Sequence, residues 1–479
     1  MINSIIPVPK SIEIKDETVT VSACISTKYE PWSKYLSTFL ECTKKIFKKS
    51  ASVGEGGIEL VFDSSLKENR YRITASDSIK LFASNDKGIA HAIATVLQMI
   101  SFSDGKFTAK QAEILDYCDK NYRGLMVDLA RQWHPVSTVL KYIDVCFLLK
   151  LSHIQLHFID DQLYTLPSKA FPEISTKDFH YSFEDIALIN EYASKRAITI
   201  IPEFEVPGHA TSLVRSYPEI FKNDITCDSA SITTENGLVI SADAIVCAGK
   251  EQCFEAIKAL LAEVAEMFPN SPYIHIGGDE ANVKAWNYCP HCVKYMKDHN
   301  IEDEKDLYCE FTGRVAQIVL DLGRTPIVWE GFPRKGVTRI PKETIVIAWE
   351  SHYNLAPDLL EDGFKIINCT WQPLYIVPYQ HLRWGVKEIL DWNVYQWQHW
   401  WEHSKATLNP INVAPTDDVL GAQVCAWENT YEREINFVME NCAALSERTW
   451  NLTRTVTTAQ FTDRLTDFMK ILGALVQDI

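Results

Sequence analysis

The sequence is short of positive charge and of long apolar stretches. It holds 47 lysine and arginine residues against 63 aspartate and glutamate residues, and its formal net charge is -16. This balance argues against nucleic acid and membrane as partners and favours a neutral substrate. No run is long and apolar enough to span a bilayer. The N-terminus shows no secretory signal, so a cytoplasmic location is expected, although a trimmed chain would lack one as well.

Cysteine pairs with the spacing of a metal site are also scarce. Among 13 cysteines, Cys289 and Cys292 form a Cys-x-x-Cys pair, and the sequence contains no second pair of this spacing. Since a structural zinc site usually combines two such pairs, we interpret these thiols as buried in a loop rather than as a metal or redox centre. The odd cysteine count in a chain without an export signal indicates reduced thiols.

Residues 1–118 predict a small α/β domain with an antiparallel sheet. Short alternating segments predict strands over residues 57–62, 71–74 and 78–83. Apolar residues on one stripe predict a helix over residues 86–100. A sheet with helices on one face is the simplest arrangement of these elements.

Residues 119–479 predict a (β/α)₈ barrel, the TIM-barrel fold. Strand, loop and helix alternate here, and the strands are nearly continuous apolar runs, as expected for strands buried on both faces. The predicted strands are residues 122–128, 154–160, 198–203, 273–277, 326–329, 344–349, 365–371 and 420–427. Eight strands separated by helical stripes, such as those over 139–147 and 257–268, match this barrel.

Acids and tryptophans gather at the ends of these strands. They are Asp128, Asp160, Asp161, Glu203, Asp279, Glu280, Trp329, Glu330, Trp349, Glu350, Trp371, Trp427 and Glu428. The carboxyl ends of barrel strands build the active site in enzymes of this fold. Tryptophan faces stack on sugar C–H faces and carboxylates accept hydrogen bonds from hydroxyls, so the pattern favours a carbohydrate pocket.

The segment Tyr273-Ile-His-Ile-Gly-Gly-Asp-Glu280 is the most informative of these strand ends. Two glycines let the backbone bend, and the adjacent carboxylates of Asp279 and Glu280 repel each other, so one tends to keep its proton. A glycosidase needs this division between a carboxylic acid and a carboxylate. Two solvated acids that cap a strand are the alternative interpretation.

Four segments in chain order carry a family resemblance. They are residues 123–131, ending in Arg131; 157–162, with Asp160 and Asp161; 202–209, ending in His209; and His275-Ile-Gly-Gly-Asp-Glu280. With the tryptophan-bearing ends of the later strands, they resemble a family 20 glycoside hydrolase, a β-N-acetylhexosaminidase, over nearly the whole chain. The resemblance implies the predicted barrel preceded by a small non-catalytic domain.

The resemblance also implies a role for each residue. Glu280 is the general acid/base, Asp279 holds the substrate's 2-acetamido group, and Asp160 and His209 form a chain with Glu280. The implied substrate contacts are Arg131 at carbons 3 and 4, Asp161 as the alternative to Asp160, Trp329, Trp349, Trp371 and Trp427 around the sugar, Tyr375 at the acetamido oxygen, and Glu428 or Asn429 at carbon 4. Val377 departs from the family, which often has a polar residue there for the 6-hydroxyl.

The implied function is that of a retaining exo-β-N-acetylhexosaminidase, which removes terminal β-linked GlcNAc or GalNAc through an oxazolinium intermediate. Neither a metal nor an organic cofactor is implied, and the expected partner is a carbohydrate substrate. Alternatives are a relative with narrowed specificity, for 6-substituted GlcNAc or for release of a disaccharide, and a catalytically silent sugar-binding protein. A chitinase-type barrel is disfavoured, since the sequence has no Asp-x-x-Asp-x-Asp-x-Glu segment. The oligomeric state is not given by the sequence.

Overall fold

Two sheets, one after the other in the sequence, organise the chain. A computed structural model describes residues 4–225, 231–233, 239–454 and 456–477. The N-terminal domain is built on a sheet with four antiparallel and three parallel pairings. The C-terminal region is a closed parallel barrel. The predicted fold class is therefore confirmed.

The N-terminal sheet has eight strands and carries two long helices. The strands are Ser11–Ser22, Cys24–Thr27, Ser52–Val53, Ile58–Phe62, Tyr71–Ala75, Ile79–Ala83, Ser101–Ser103 and Lys106–Asp116, and the helices are Ser33–Phe47 and Asp86–Met99. Asn85 caps the second helix by accepting a hydrogen bond from the Gly88 backbone at 2.9 Å. Nearly all residues of this helix are buried, because it lies between the sheet and the first barrel helix.

The barrel closes through parallel pairing of its last strand with its first. Its strands are Tyr122–Asp128, His153–His157, Thr199–Glu203, Tyr273–His275, Thr325–Trp329, Ile345–Ala348, Lys365–Asn368 and Val419–Ala426. A further short strand, Tyr375–Ile376, pairs with the last one. All these pairings are parallel, so the carboxyl ends of the strands meet at one rim of the barrel.

Helices surround the barrel unevenly. They are Val136–Leu148, Phe183–Ser194, Thr211–Ser216, Pro218–Phe221, Glu251–Met267, Pro290–Asp298, Glu304–Asp321, Ala356–Glu361, Trp371–Leu374, Val386–Asp391, Tyr431–Trp450 and Thr458–Val476. The connection from the fifth to the sixth strand contains a single 3-10 turn, Val337–Arg339. Within the described ranges, no helix combines the length and the apolar character needed to cross a bilayer.

Buried ion pairs join the N-terminal domain to the barrel helices. The fully buried Asp144 carboxylate accepts hydrogen bonds from Lys45 Nζ at 2.8 Å and from Arg196 Nε at 2.7 Å. Lys150 Nζ lies 3.3 Å from Asp116 Oδ2, also without exposure. Because each buried charge has an opposite charge beside it, the interface avoids the cost of an unpaired ion.

All eight barrel strands are predicted correctly, but several end earlier than expected. The second strand ends at His157 rather than at residue 160, and the seventh at Asn368 rather than at residue 371. The residues beyond these points leave the sheet at the rim, where the candidate site is formed. The sequence analysis missed the edge strand Ser11–Ser22, which is largely exposed and lacks a continuous apolar face.

Candidate active site

Asp160, His209 and Glu280 meet at the carboxyl rim of the barrel. His209 Nδ1 lies 3.2 Å from Asp160 Oδ1, and His209 Nε2 lies 3.5 Å from Glu280 Oε2. The Asp160 side chain is 1% exposed, whereas that of Glu280 is 24% exposed. The three groups therefore lead from a buried carboxylate to one that a ligand can reach. Such contacts often tighten only when substrate binds.

Asp160, rather than its neighbour Asp161, is the acid at the centre of this group. Asp160 Oδ2 accepts from Arg131 Nε at 2.6 Å and from His157 Nε2 at 3.1 Å. Asp161 lies farther from His209, at 3.6 Å, and its other oxygen accepts a hydrogen bond from Thr211 Oγ1 at 2.5 Å. The geometry thus favours Asp160 over Asp161 as the partner of His209.

Besides its ion pair with Asp160, Arg131 has three further neighbours at the pocket. Its backbone N–H donates to Asp128 Oδ1 at 2.8 Å, so the strand-end aspartate fixes the turn. Its guanidinium contacts Glu428 Oε1 at 3.5 Å and lies 4.9 Å from the centre of the Trp427 ring. Arg131 and Glu428 are partly exposed, at 21% and 40%, so a ligand in the pocket can reach both side chains.

A tight turn at Gly277 places Asp279 beside a second buried acid, Glu205. Gly277 has φ of 69°, and a Cβ there would lie 2.0 Å from the Glu205 carboxylate. The Gly278 backbone N–H donates to Glu205 Oε1 at 2.9 Å. Asp279 is 9% exposed, and its Oδ1 has no hydrogen-bond partner among the described residues. A buried acceptor without a partner is costly unless a ligand supplies the donor.

Backbone strain marks two residues of this site, one on each of two loops. His209 has φ of 48° and Glu280 has φ of 45°, both in the left-handed region that most side chains avoid. Strain of this kind is retained where the surrounding structure fixes it, often at functional sites.

The surroundings divide the protons among these acids. Burial, together with the charges of Glu280 and Glu203, raises the pKa of Asp279 to about 6, against the opposing effect of His209. Burial alone would raise the pKa of Glu280, but the nearby His209 and Arg131 lower it. Burial would lower the pKa of His209, yet Asp160, Asp161 and Glu280 raise it well above 6.5. The surroundings therefore favour the protonated form of His209 and the ionised form of Glu280.

A buried polar network behind the pocket escaped the sequence analysis. His157 Nδ1 lies 2.9 Å from Glu203 Oε2, and Trp329 Nε1 donates to Glu203 Oε1 at 2.6 Å. All three residues are almost fully buried. Glu203 and Glu205 alternate with apolar residues along one segment, and this pattern was the available signal. Because Glu203 accepts the indole N–H of Trp329, that N–H is not available to a ligand.

Aromatic rings line the same rim. Tyr375 stacks on Trp371 with ring centres 4.4 Å apart and on Trp349 at 6.1 Å. Trp427 lies 6.2 Å from Trp329, and its indole N–H has no partner among the described residues. These five rings belong to one cluster around the barrel mouth. The predicted aromatic residues are thus brought together, although they come from four different strand ends.

Glu330 has a structural role instead of a place in the pocket. Its carboxylate accepts hydrogen bonds from backbone N–H groups of Ser351 and His352, each at 2.9 Å, and from Tyr353 at 3.1 Å. Burial nevertheless raises its pKa to about 7. The sequence pattern could not separate this acid from those that face the ligand.

Comparisons with known proteins agree with this geometry. The description "Glycosyl hydrolase family 20, catalytic domain" matches residues 121–453, and "Glycosyl hydrolase family 20, domain 2" matches residues 3–117. The β-hexosaminidase subunit beta of Entamoeba histolytica is 26% identical over 392 residues, which are 78% of this chain and 67% of that protein. The β-hexosaminidase of Porphyromonas gingivalis is 27% identical over 377 residues, 72% of this chain and 47% of that protein, so this chain spans about half of its length.

A similar fold occurs in the family 20 exo-β-N-acetylglucosaminidase of Vibrio harveyi, solved in complex with N-acetylglucosamine. Its TM-score is 0.85 at 23% identity, over 99% of this chain and 78% of that one. The barrel and these matches define a glycoside hydrolase of the β-N-acetylhexosaminidase class. The chain belongs to glycosyl hydrolase family 20.

Proposed function

We propose that the chain removes terminal β-linked GlcNAc or GalNAc from glycans with retention of configuration. The buried, unpartnered Oδ1 of Asp279 beside Glu280 carries this proposal. A 2-acetamido N–H supplies the donor that this oxygen lacks, and the aromatic cluster covers the acetamido methyl group and the sugar face. Arg131 binds the hydroxyls on carbons 3 and 4 and Glu428 binds the hydroxyl on carbon 4, which suits the end of a glycan chain.

The mechanism is substrate-assisted. The acetamido oxygen attacks the anomeric carbon, the bond to the leaving oxygen breaks, and Glu280 donates its proton to that oxygen. Asp279 stabilises the positive charge of the oxazolinium intermediate that results. Glu280 then takes a proton from water, and this water attacks the anomeric carbon from the face that the leaving group left. No protein nucleophile takes part.

His209 supplies the proton balance that this mechanism needs. In the free site the proton lies on His209, between the carboxylates of Asp160 and Glu280. Transfer of that proton to Glu280 creates the acid without protonating Asp279. Asp160, held by Arg131 and His157, keeps His209 oriented for this transfer.

The raised pKa of Asp279 predicts an acidic limit of activity. Because Asp279 must be ionised to accept from the acetamido N–H, kcat/KM should fall as pH decreases through about 6. The measurement is kcat/KM for an aryl N-acetyl-β-glucosaminide from about pH 4 to about pH 8. This decrease of kcat/KM at acidic pH should be missing in Asp279→Asn. A wild-type activity that rises steadily below pH 6 would contradict this assignment.

Of the two candidates at carbon 4, the contacts favour Glu428. Its carboxylate is 40% exposed and touches Arg131. Asn429 is 3% exposed, and its amide donates to the Trp427 carbonyl at 3.0 Å. We assign the hydroxyl on carbon 4 to Glu428 for this reason.

Recognition at carbon 6 is predicted to be weak. Val377 is 5% exposed and belongs to the apolar cluster that holds Trp349 and Tyr375. An apolar wall discriminates weakly against a missing hydroxyl. A 6-deoxy aryl N-acetylglucosaminide should therefore keep much of the kcat/KM of its 6-hydroxy parent.

The alternative source of a contact to the 6-hydroxyl is the nearby segment 392–401. Within it, Trp400 is 42% exposed and packs against Trp371 at 5.6 Å, whereas Trp397 is fully buried and donates to the Ala348 carbonyl. A loss of about several hundred-fold for the deoxy sugar would show that this segment supplies a polar contact and that Val377 was misread.

A panel of aryl glycosides tests the proposed function as a whole. Turnover of N-acetylglucosaminides and N-acetylgalactosaminides, with none for sugars that lack the 2-acetamido group, is expected. Binding of these sugars without turnover would instead support the silent sugar-binding protein. Turnover limited to 6-substituted sugars or to release of a disaccharide would support the narrowed specificity.

Two further points belong to this proposal. We place the boundary between the non-catalytic domain, 1–118, and the catalytic barrel, 119–479, because every site residue named above follows residue 127. We also propose a reducing, cytoplasmic location, because the structure joins none of the described cysteines in a disulfide.

A further inference from the structure

Three buried thiols lie together behind the candidate active site. Cys247 Sγ is 3.6 Å from the Sγ atoms of both Cys289 and Cys292, and all three side chains are fully buried. These separations are far longer than the roughly 2.05 Å of a disulfide. They are close to the roughly 3.8 Å that separates two sulfurs bound to one tetrahedral zinc ion at 2.3 Å.

The backbone around these thiols is arranged as in a metal site. The interpretation of Cys289 and Cys292 as loop residues is corrected: Cys289 caps the helix Pro290–Asp298, and Cys292 lies in its first turn. The Gly249 N–H lies near Cys247 Sγ, and the backbone N–H groups of Cys292 and Asp224 lie near Cys289 Sγ. Such donors stabilise metal-bound thiolates from the second layer.

Gly249 allows the two cysteine-bearing segments to approach. A Cβ at this position would lie 2.2 Å from the backbone carbon of His291 and 2.4 Å from the Cys292 nitrogen. The sequence analysis missed this cluster because Cys247 precedes Cys289 by 42 residues and has no second cysteine at the usual spacing.

We propose that Cys247, Cys289 and Cys292 bind a zinc ion that stabilises the fold. Thiolate ligands select zinc over hard cations such as Mg²⁺ and Ca²⁺. The short separations between the sulfurs suit a single ion and not a larger iron–sulfur cluster, in which the ligands lie farther apart. The ion takes no part in hydrolysis.

The site ties together the two loops that carry His209 and Glu280. Two backbone hydrogen bonds join the Cys247 segment to the His209 loop. The Ala210 N–H donates to the Ala244 carbonyl at 3.0 Å, and the Val246 N–H donates to the Pro207 carbonyl at 2.9 Å. On its other side, Trp286 Nε1 donates to the Val246 carbonyl at 3.0 Å. Loss of zinc should therefore loosen both catalytic loops and lower the melting temperature.

The test is the metal content of the wild-type protein, purified without an affinity tag. Elemental analysis should find about one zinc per chain, and X-ray absorption should find at least three sulfur neighbours at about 2.3 Å. Cys247→Ser and Cys292→Ser should lose most of the zinc. Cys42→Ser, a control at another fully buried cysteine, should keep it. Cys227→Ser is measured alongside, since that thiol lies outside the described residues.

Wild-type measurements also decide the case if the cluster variants fail to fold. Metal-free protein that binds neither added Zn²⁺ nor Co²⁺, or a Cys289–Cys292 disulfide found by mass spectrometry in freshly purified protein, would overturn the proposal. So would a zinc ion with nitrogen and oxygen neighbours only. These results are independent of the proposed hydrolase activity, because none of them is read from substrate turnover.

Discussion

Asp279→Asn should lower kcat/KM for aryl N-acetyl-β-glucosaminides by about 10²- to 10³-fold near neutral pH. In the proposed mechanism, the wild-type carboxylate, with its buried and unpartnered Oδ1, faces the positive charge of the oxazolinium intermediate. The amide keeps the shape and removes the charge, so the transition state loses electrostatic stabilisation while the fold is retained. Steady-state kinetics of the purified variant measures this loss.

Two controls show that the effect of Asp279→Asn belongs to the acetamido group. A thiazoline that mimics the oxazoline should inhibit the wild type strongly and the variant weakly. Glu434→Gln removes another buried carboxyl, which bonds the Tyr142 hydroxyl away from the pocket, and should leave kcat/KM nearly unchanged. Failure of the thiazoline against the wild type would show that substrate assistance is wrong.

Glu280→Gln should nearly abolish hydrolysis of glycosides with poor leaving groups, by about 10²- to 10⁴-fold. The glutamine cannot donate a proton to the leaving oxygen. An aryl leaving group with a low pKa needs less protonation, so its first step should lose much less activity. Pre-steady-state and steady-state rates for a series of leaving groups measure the difference.

The variant His209→Asn serves as the comparison for Glu280→Gln. It removes the partner that lies 3.5 Å from Glu280 and carries the proton of the free site, but it leaves the acid itself in place. The loss of activity in His209→Asn should therefore depend on the leaving group in the same direction as in Glu280→Gln. It should also be smaller. An equal loss on all leaving groups in Glu280→Gln would contradict the acid role.

The eight barrel strands and the main catalytic motif could be predicted because their signals are local. A strand buried on both faces needs a continuous apolar run, as in 122–128, and the residues that follow it must lie at the rim. Asp279, Glu280, Trp329 and Trp427 were placed at the rim in this way. The resemblance to a known family then gave these residues roles that the pattern alone could not give.

The choice between similar neighbours required the tertiary structure. Asp160 and Asp161 are adjacent and chemically alike, yet only Asp160 contacts both Arg131 and His157. Glu330 and Glu350 also follow barrel strands, but Glu330 holds the next loop through its backbone amides. Which way a side chain points after its strand ends depends on contacts with segments far away in the sequence.

By itself, the sequence determined the order of the elements, the barrel and the position of Asp279 and Glu280 at its rim, because hydrophobic periodicity and short-range backbone geometry fix these. Only the tertiary structure decided which buried groups meet. It placed Glu205 against Asp279, and it brought Cys247 to Cys289 and Cys292. Distances between such residues depend on how the loops pack at the rim, and neither spacing nor periodicity in the chain encodes that packing.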